Sequence, residues 1–172
     1  MRIKMAVVVI LMFVFAGSAY SVGAEFNNDM LEKVRIQAED IPNGFIYGTI
    51  PDFAKTVLKN NPWNFDRSAI NRLSKNIYPG GNADMIKGIH MTILARKDQP
   101  LGDDIVCYIF LYRDAEAARK ETEKLHDYVK YNSDRAIVFQ KNNVAVFIHA
   151  DDVGDYDLIK VLSEKMEVRL NQ

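Results

Sequence analysis

One segment, Ile105–Tyr112, constrains the fold of this chain more than any other, because it is apolar on both sides of an extended strand. Successive side chains of a strand point to opposite faces. One face carries Ile105, Cys107, Ile109 and Leu111, and the other carries Val106, Tyr108, Phe110 and Tyr112. A strand that is apolar on both faces is typical of the middle of a sheet that is covered on both sides. We therefore expect this strand to be central.

The residues around this strand predict an α+β domain with an antiparallel sheet. Residues 89–96 alternate as a strand with one strongly apolar face, and a loop with Pro100 and Gly102 follows it. After the central strand, Asp114 favours the start of a helix. Two short strands, 136–140 and 144–149, and a last helix at about 155–170 complete the chain. The order β-β-α-β-β-α predicts about four strands in hairpin pairs, with the helices packed on one face.

The preceding half of the chain, residues 25–88, is less regular and predicts mainly helices and turns. A helix is expected within 27–38, although 34–38 reads equally well as a strand. A short helix is expected at 53–58, and another after Asp66, which is a good N-cap. No internal repeat or low-complexity linker separates the halves, so residues 25–172 are expected to form one domain. This irregular half is expected to cover the aromatic face of the central strand.

The first 24 residues have the layout of a secretory signal peptide. Arg2 and Lys4 precede an apolar run at 5–16, and small or polar residues follow up to Ala24. The run of about 12 residues is shorter than the roughly 20 that a membrane-spanning helix needs. We expect cleavage after Ala24, with Ala19 as the second choice. The mature protein is then periplasmic or secreted.

Several classes of partner and attachment are disfavoured by composition. Glu25, rather than a cysteine, follows the expected cleavage point, which argues against a lipoprotein, and the lone Cys107 cannot form an internal disulfide. The leader holds two of the 22 basic residues and none of the 23 acidic ones, so the chain cleaved there has a net charge of −3. Without a basic excess, nucleic acid is not an expected partner. No second apolar run has membrane-spanning length, so no span is expected after cleavage.

An aromatic face on the central strand is the first candidate site. Tyrosines and tryptophan combine an apolar body with a polar tip, which suits the wall of a ligand pocket. The candidate ligand-binding residues are Tyr108, Phe110, Tyr112, Trp63 and Phe65, with Phe45 and Tyr47 as further aromatic candidates. The alternative is that these rings form a second core beneath the irregular half. Cys107, in the middle of the strand, is expected to be a buried and unreactive thiol.

A loop near the C-terminus is the second candidate site. His149, Asp151, Asp152 and Asp155 lie close together in sequence, and an imidazole with carboxylates can hold a divalent cation. The site would then serve a metal-dependent hydrolase. The alternative is that Asp155 caps the last helix and its neighbours favour the positive end of the helix dipole.

The sequence therefore favours an exported accessory or binding module without catalytic activity or cofactor. Its partner would be a small apolar ligand or an envelope protein. The chain has no Gly-x-Ser-x-Gly, His-Glu-x-x-His, phosphate-loop or Cys-x-x-Cys motif. The metal-dependent hydrolase is the alternative. A third interpretation is docking through an exposed sheet edge near Asn142.

Overall fold

The structure is a computed structural model that describes residues 28–50, 52, 55 and 60–172. The predicted signal peptide and most of the predicted helix at 53–58 lie outside the described residues. The helices are α1 (Asn28–Val34), α2 (Arg67–Ile77), α3 (Ala115–Lys130) and α4 (Tyr156–Leu170). The strands are β1 (Phe45–Tyr47), β2 (Trp63–Asn64), β3 (Ile86–Arg96), β4 (Ile105–Tyr112), β5 (Ala136–Lys141) and β6 (Val144–Ala150).

The strands of the described residues belong to one antiparallel sheet with the order β1-β3-β4-β6-β5, and β2 also pairs with β3. β4 lies between β3 and β6, as its two apolar faces predict. The antiparallel α+β class is confirmed, and the predicted order is present as β3, β4, α3, β5, β6 and α4. The expected number of strands was too low, because β1 and β2 add to the sheet. These strands have only three and two residues, too few to show a period in the sequence.

Helices cover both faces of the sheet, so the expectation that they pack on one face was wrong. α1 and α4 pack against the face that carries Cys107, while α2 and α3 pack against the face that carries Phe110. The reason is that β6, like β4, is apolar on both sides. Its Val146 points towards α4 and its Phe147 points towards α3. Each face then needs its own apolar cover.

Local signals set several element boundaries where the sequence predicts them. The Asp66 carboxylate accepts a hydrogen bond from the Ala69 amide at the start of α2, and Asp114 does the same for Ala117 at the start of α3. Asn142 has a φ of 51° in the hairpin between β5 and β6, a left-handed conformation that asparagine tolerates. The segment 34–38 is not a strand, because α1 ends at Val34 and a short 3-10 turn begins at Ala38. None of the described helices is long and apolar enough to cross a membrane.

Candidate ligand-binding groove

A groove of about 290 Å³ opens on the α2/α3 side of the sheet, between β2, the end of α2 and the strands β3 and β4. Its lining is mostly apolar and aromatic, with one amide and one carboxylate. The lining residues are Trp63, Phe65, Asn76, Ile77, Met91, Ile93, Asp103, Val106 and Tyr108. We call this cavity the aromatic groove.

The floor of the aromatic groove follows from the pairing of β3 with β4. Met91 is opposite Tyr108 and Ile93 is opposite Val106 in the strand register. Residues two apart along a strand share a face, so these four side chains form one block on the same side of the sheet. Their two-residue spacing explains why a flat apolar surface forms here.

The aromatic wall is held by β2 and the residue after it. Trp63 pairs with Met91, which places the indole beside the floor. The Phe65 amide donates a hydrogen bond to the Ile89 carbonyl at 2.9 Å, which fixes the chain as it leaves β2. The ring centroids of Trp63 and Phe65 are 4.3 Å apart with the planes tilted by 35°. This separation is slightly shorter than the about 4.5–7 Å between the centroids of most aromatic pairs, so the two rings are in direct contact.

Tyr108 forms the boundary between the groove and the core. Its ring stacks against Phe110 and Phe147, with centroid distances of 6.1 and 6.2 Å. Burial raises the pKa of Tyr108 to about 12, and the nearby negative charge of Asp103 adds to the rise. Its hydroxyl has no hydrogen-bond partner in the part of the chain that the structure describes. The phenol is therefore neutral at pH 7 and available to a ligand.

The predicted ligand-binding residues divide into two groups. Trp63, Phe65 and Tyr108 line the aromatic groove. Phe110 and Tyr112 are fully buried beneath α2 and α3 and belong to the core on that face. The ligand-pocket interpretation thus applies to the three residues at the groove, and the second-core interpretation applies to the two residues beside it.

Two further aromatic candidates lie outside the groove, and several of the residues that line it were not among the candidates from the sequence. Phe45 and Tyr47 pack on the opposite face of the sheet, so they cannot join the groove. Met91 and Ile93 were not proposed as ligand-binding residues, although both lie on the apolar face predicted for their strand. Asp103 was also missed, because nothing in the sequence distinguishes it from the other acidic residues of its loop.

The candidate metal ligands are not brought together. The His149 ring is half-buried and stacks against Phe147 with a centroid distance of 5.4 Å, and burial lowers its pKa. Asp151 and Asp152 are exposed. Among the described residues, no three histidine, cysteine, aspartate or glutamate side chains are grouped so that they could hold a metal ion.

Asp155 lies at the N-cap position of α4, as the sequence predicts, but its side chain forms an ion pair. Its carboxylate accepts a hydrogen bond from the Arg96 guanidinium at 2.7 Å and makes no capping hydrogen bond to α4. Asp152 instead caps the short 3-10 turn before α4 by accepting a hydrogen bond from the Gly154 amide at 2.8 Å. Asp155 thus connects the start of α4 to β3, while Asp152 stabilises a local turn.

Cys107 lies in the core on the α4 side, as expected for an unreactive thiol. It is 1% exposed, and its sulfur lies 3.9 Å from the Met166 sulfur. Burial raises the pKa of this thiol, which disfavours the reactive thiolate.

Comparison with family models, with curated proteins and with solved structures finds no match for this chain. Its function is therefore inferred from the aromatic groove itself.

Proposed function

We propose that this protein is an exported, non-enzymatic binding module that holds a small apolar ligand in the aromatic groove. The observation that supports the proposal best is an open cavity with a floor of four packed side chains and a wall of two aromatic rings. Ligand sites in proteins are commonly concave and apolar with a few polar groups that orient the ligand. Asn76, Asp103 and the Tyr108 hydroxyl are the polar groups here.

The size of the aromatic groove favours a ligand built on one ring and a short chain. Its volume of about 290 Å³ is at the lower end of the range for small-molecule sites. A ligand with about ten non-hydrogen atoms, each contributing about 0.5 kcal/mol, would bind with a dissociation constant of about 0.2 mM. Phenylpropanol is a neutral probe of this size.

We expect phenylpropanol to change the fluorescence of Trp63 in a saturable way. Trp63 is the only tryptophan of the chain and lines the groove, so the signal reports on this site alone. Ile77→Phe, which enlarges a lining side chain at the end of α2, should weaken binding by about tenfold, because overpacking leaves the ring less space. The measurement is a fluorescence titration, repeated by calorimetry.

Val161→Phe is the matched control for this titration. Val161 is 50% exposed on α4, on the other side of the sheet, and the same enlargement there should leave the affinity unchanged. Unsaturable fluorescence in the wild-type protein, or equal affinities for the wild type and Ile77→Phe, would contradict the proposal.

We also propose that the leader directs the protein out of the cytoplasm and is removed after Ala24. The mature protein in the envelope fraction or the medium should then begin at Glu25, as read by N-terminal sequencing or intact mass. Ala24→Arg should stop cleavage at this point, since signal peptidase sites need a small residue there. A cytoplasmic protein that begins at Met1 would overturn the export proposal.

A further inference from the structure

We infer that the ligand of the aromatic groove is an organic cation, with an apolar body and a protonated amine, and that Asp103 recognises its charge. This inference rests on the proposed function and names the class of ligand. Two observations support it: the charge of the groove lining, and the polar groups of the lining that have no partner among the described residues.

The described lining of the groove carries negative charge only. Among the described residues that line the groove, Asp103 is the one with a full charge at pH 7, and none of these residues is a lysine or an arginine. Asp103 is exposed and forms no ion pair within the described part of the chain. Its neighbour Asp104 differs, because it accepts a hydrogen bond from the Arg96 amide at 2.9 Å and lies 3.4 Å from the guanidinium of that residue. Asp103 is thus available to a cation that comes from outside.

The other titratable groups near Asp103 do not neutralise it. Its charge acts on Tyr108 and on His149, and both side chains lie on the groove side of the sheet. The phenol is neutral at pH 7, and burial lowers the pKa of His149, which favours the neutral imidazole. The groove therefore presents a net negative charge to its ligand.

The aromatic rings also favour a cation. The faces of Trp63, Phe65 and Tyr108 carry partial negative charge, and a cation within about 6 Å of such a face is attracted to it. The Tyr108 hydroxyl can accept a hydrogen bond from an ammonium group, as can the Asp103 carboxylate. An ammonium group thus finds acceptors and ring faces in one site, whereas a carboxylate ligand is repelled by Asp103.

Three probes that share one apolar body test this inference: phenylpropylamine, phenylpropanol and phenylpropionate. We expect the amine to bind about tenfold more tightly than the alcohol at low ionic strength, and the carboxylate to bind most weakly. The advantage of the amine should fall as salt is added, because Asp103 is exposed and salt screens its charge. Calorimetry at pH 7 gives the three affinities.

Asp103→Asn is the decisive variant. The exposed side chain makes no hydrogen bond within the described residues, so the substitution should leave the fold intact. We expect it to reduce the affinity for the amine to that for the alcohol and to leave the affinity for the alcohol unchanged. Asp98→Asn, an exposed carboxylate on the same loop that does not line the groove, should preserve the preference for the amine.

Failure of this inference and failure of the proposed function give different results. Equal affinities of the wild-type protein for amine and alcohol would overturn the inference and leave the apolar binding function standing. An amine preference that survives Asp103→Asn would also overturn it, since another group would then recognise the charge. If neither probe binds, the proposed function fails together with the inference.

Discussion

Replacing Glu121 with alanine is expected to lower the free energy of unfolding by about 3 kcal/mol, because this buried carboxylate satisfies three donors at once. Glu121 lies on α3 and is 2% exposed. It accepts hydrogen bonds from the Tyr78 hydroxyl at 2.7 Å, the Asn82 amide at 3.0 Å and the Lys124 ammonium at 2.6 Å. The carboxylate thus joins α3 to the turn that follows α2.

The physical reason for this large effect is that the Tyr78 hydroxyl stays buried when its acceptor is removed. Tyr78 is 1% exposed, so its hydroxyl has little access to water in place of the carboxylate. Because α2 and α3 together cover the Phe110 side of the sheet, the loss also loosens the elements beside the aromatic groove. Urea unfolding of the wild type and of Glu121→Ala at pH 7 measures the difference.

Two further variants sharpen the Glu121 measurement. Glu123→Ala removes an exposed carboxylate from the same helix, where it pairs with Arg119 in solvent, and should cost less than about 1 kcal/mol. Glu121→Gln keeps an acceptor oxygen and removes the charge, so its stability should lie between those of the wild type and Glu121→Ala. Equal destabilisation by Glu121→Ala and Glu123→Ala would show that the buried contacts contribute little.

Acidification from pH 7 to about pH 4 is expected to remove about 3 kcal/mol of stability through His90 alone. His90 lies on β3 beneath α1, and burial lowers its pKa from 6.5 to about 4. Its Nδ1 lies 2.8 Å from the Asn64 Oδ1. The charges of Glu32 on α1 and of Arg35, which follows α1 directly, shift this pKa in opposite directions and by less than burial does.

The direction of the pH effect follows from the protonation of each state. Below pH 6.5 the unfolded chain takes up a proton at His90, while the folded protein stays neutral there until about pH 4. The stabilisation is therefore complete above pH 6.5, declines as the pH falls and is lost below about pH 4. His149 contributes in the same direction, because burial lowers its pKa too.

His90→Gln separates the two histidines. The difference in unfolding free energy between pH 7 and pH 4, measured with urea, should be smaller in this variant than in the wild type by about 3 kcal/mol. His126→Gln is the matched control, since it replaces an exposed histidine on α3 and keeps the buried His90, whose contribution to the pH dependence should remain. A wild-type pH dependence in His90→Gln would contradict the role of His90.

The parts of the fold that the sequence predicts are those with a strong local pattern. β4 is apolar on both faces, and Asp66 and Asp114 are strong caps, so these features were predicted from the residues themselves. β1 and β2 could not be found in this way, because they are short and their pairing with β3 is set by tertiary contacts. Helices pack on both faces of the sheet because β6, like β4, is apolar on both faces.

The site was less predictable than the fold, because it depends on residues that are distant in the sequence. Trp63 reaches the floor only through its pairing with Met91, and no local pattern encodes that register. Asp103 belongs to a loop with several acidic residues, and only the structure shows that Asp104 pairs with Arg96 while Asp103 lines the groove. Asp155 has the sequence context of a cap, yet it pairs with an arginine across the fold.

The most direct test of the ligand-binding function is a methyl NMR titration of the isotope-labelled protein with phenylpropylamine. We predict saturable shifts of the methyl groups of Ile77, Met91, Ile93 and Val106, which line the aromatic groove. The methyl signals of Ile159 and Leu162, which pack on the opposite face of the sheet, should not shift and serve as the internal control. Shifts confined to the opposite face, or no saturable shifts at the groove, would contradict the account.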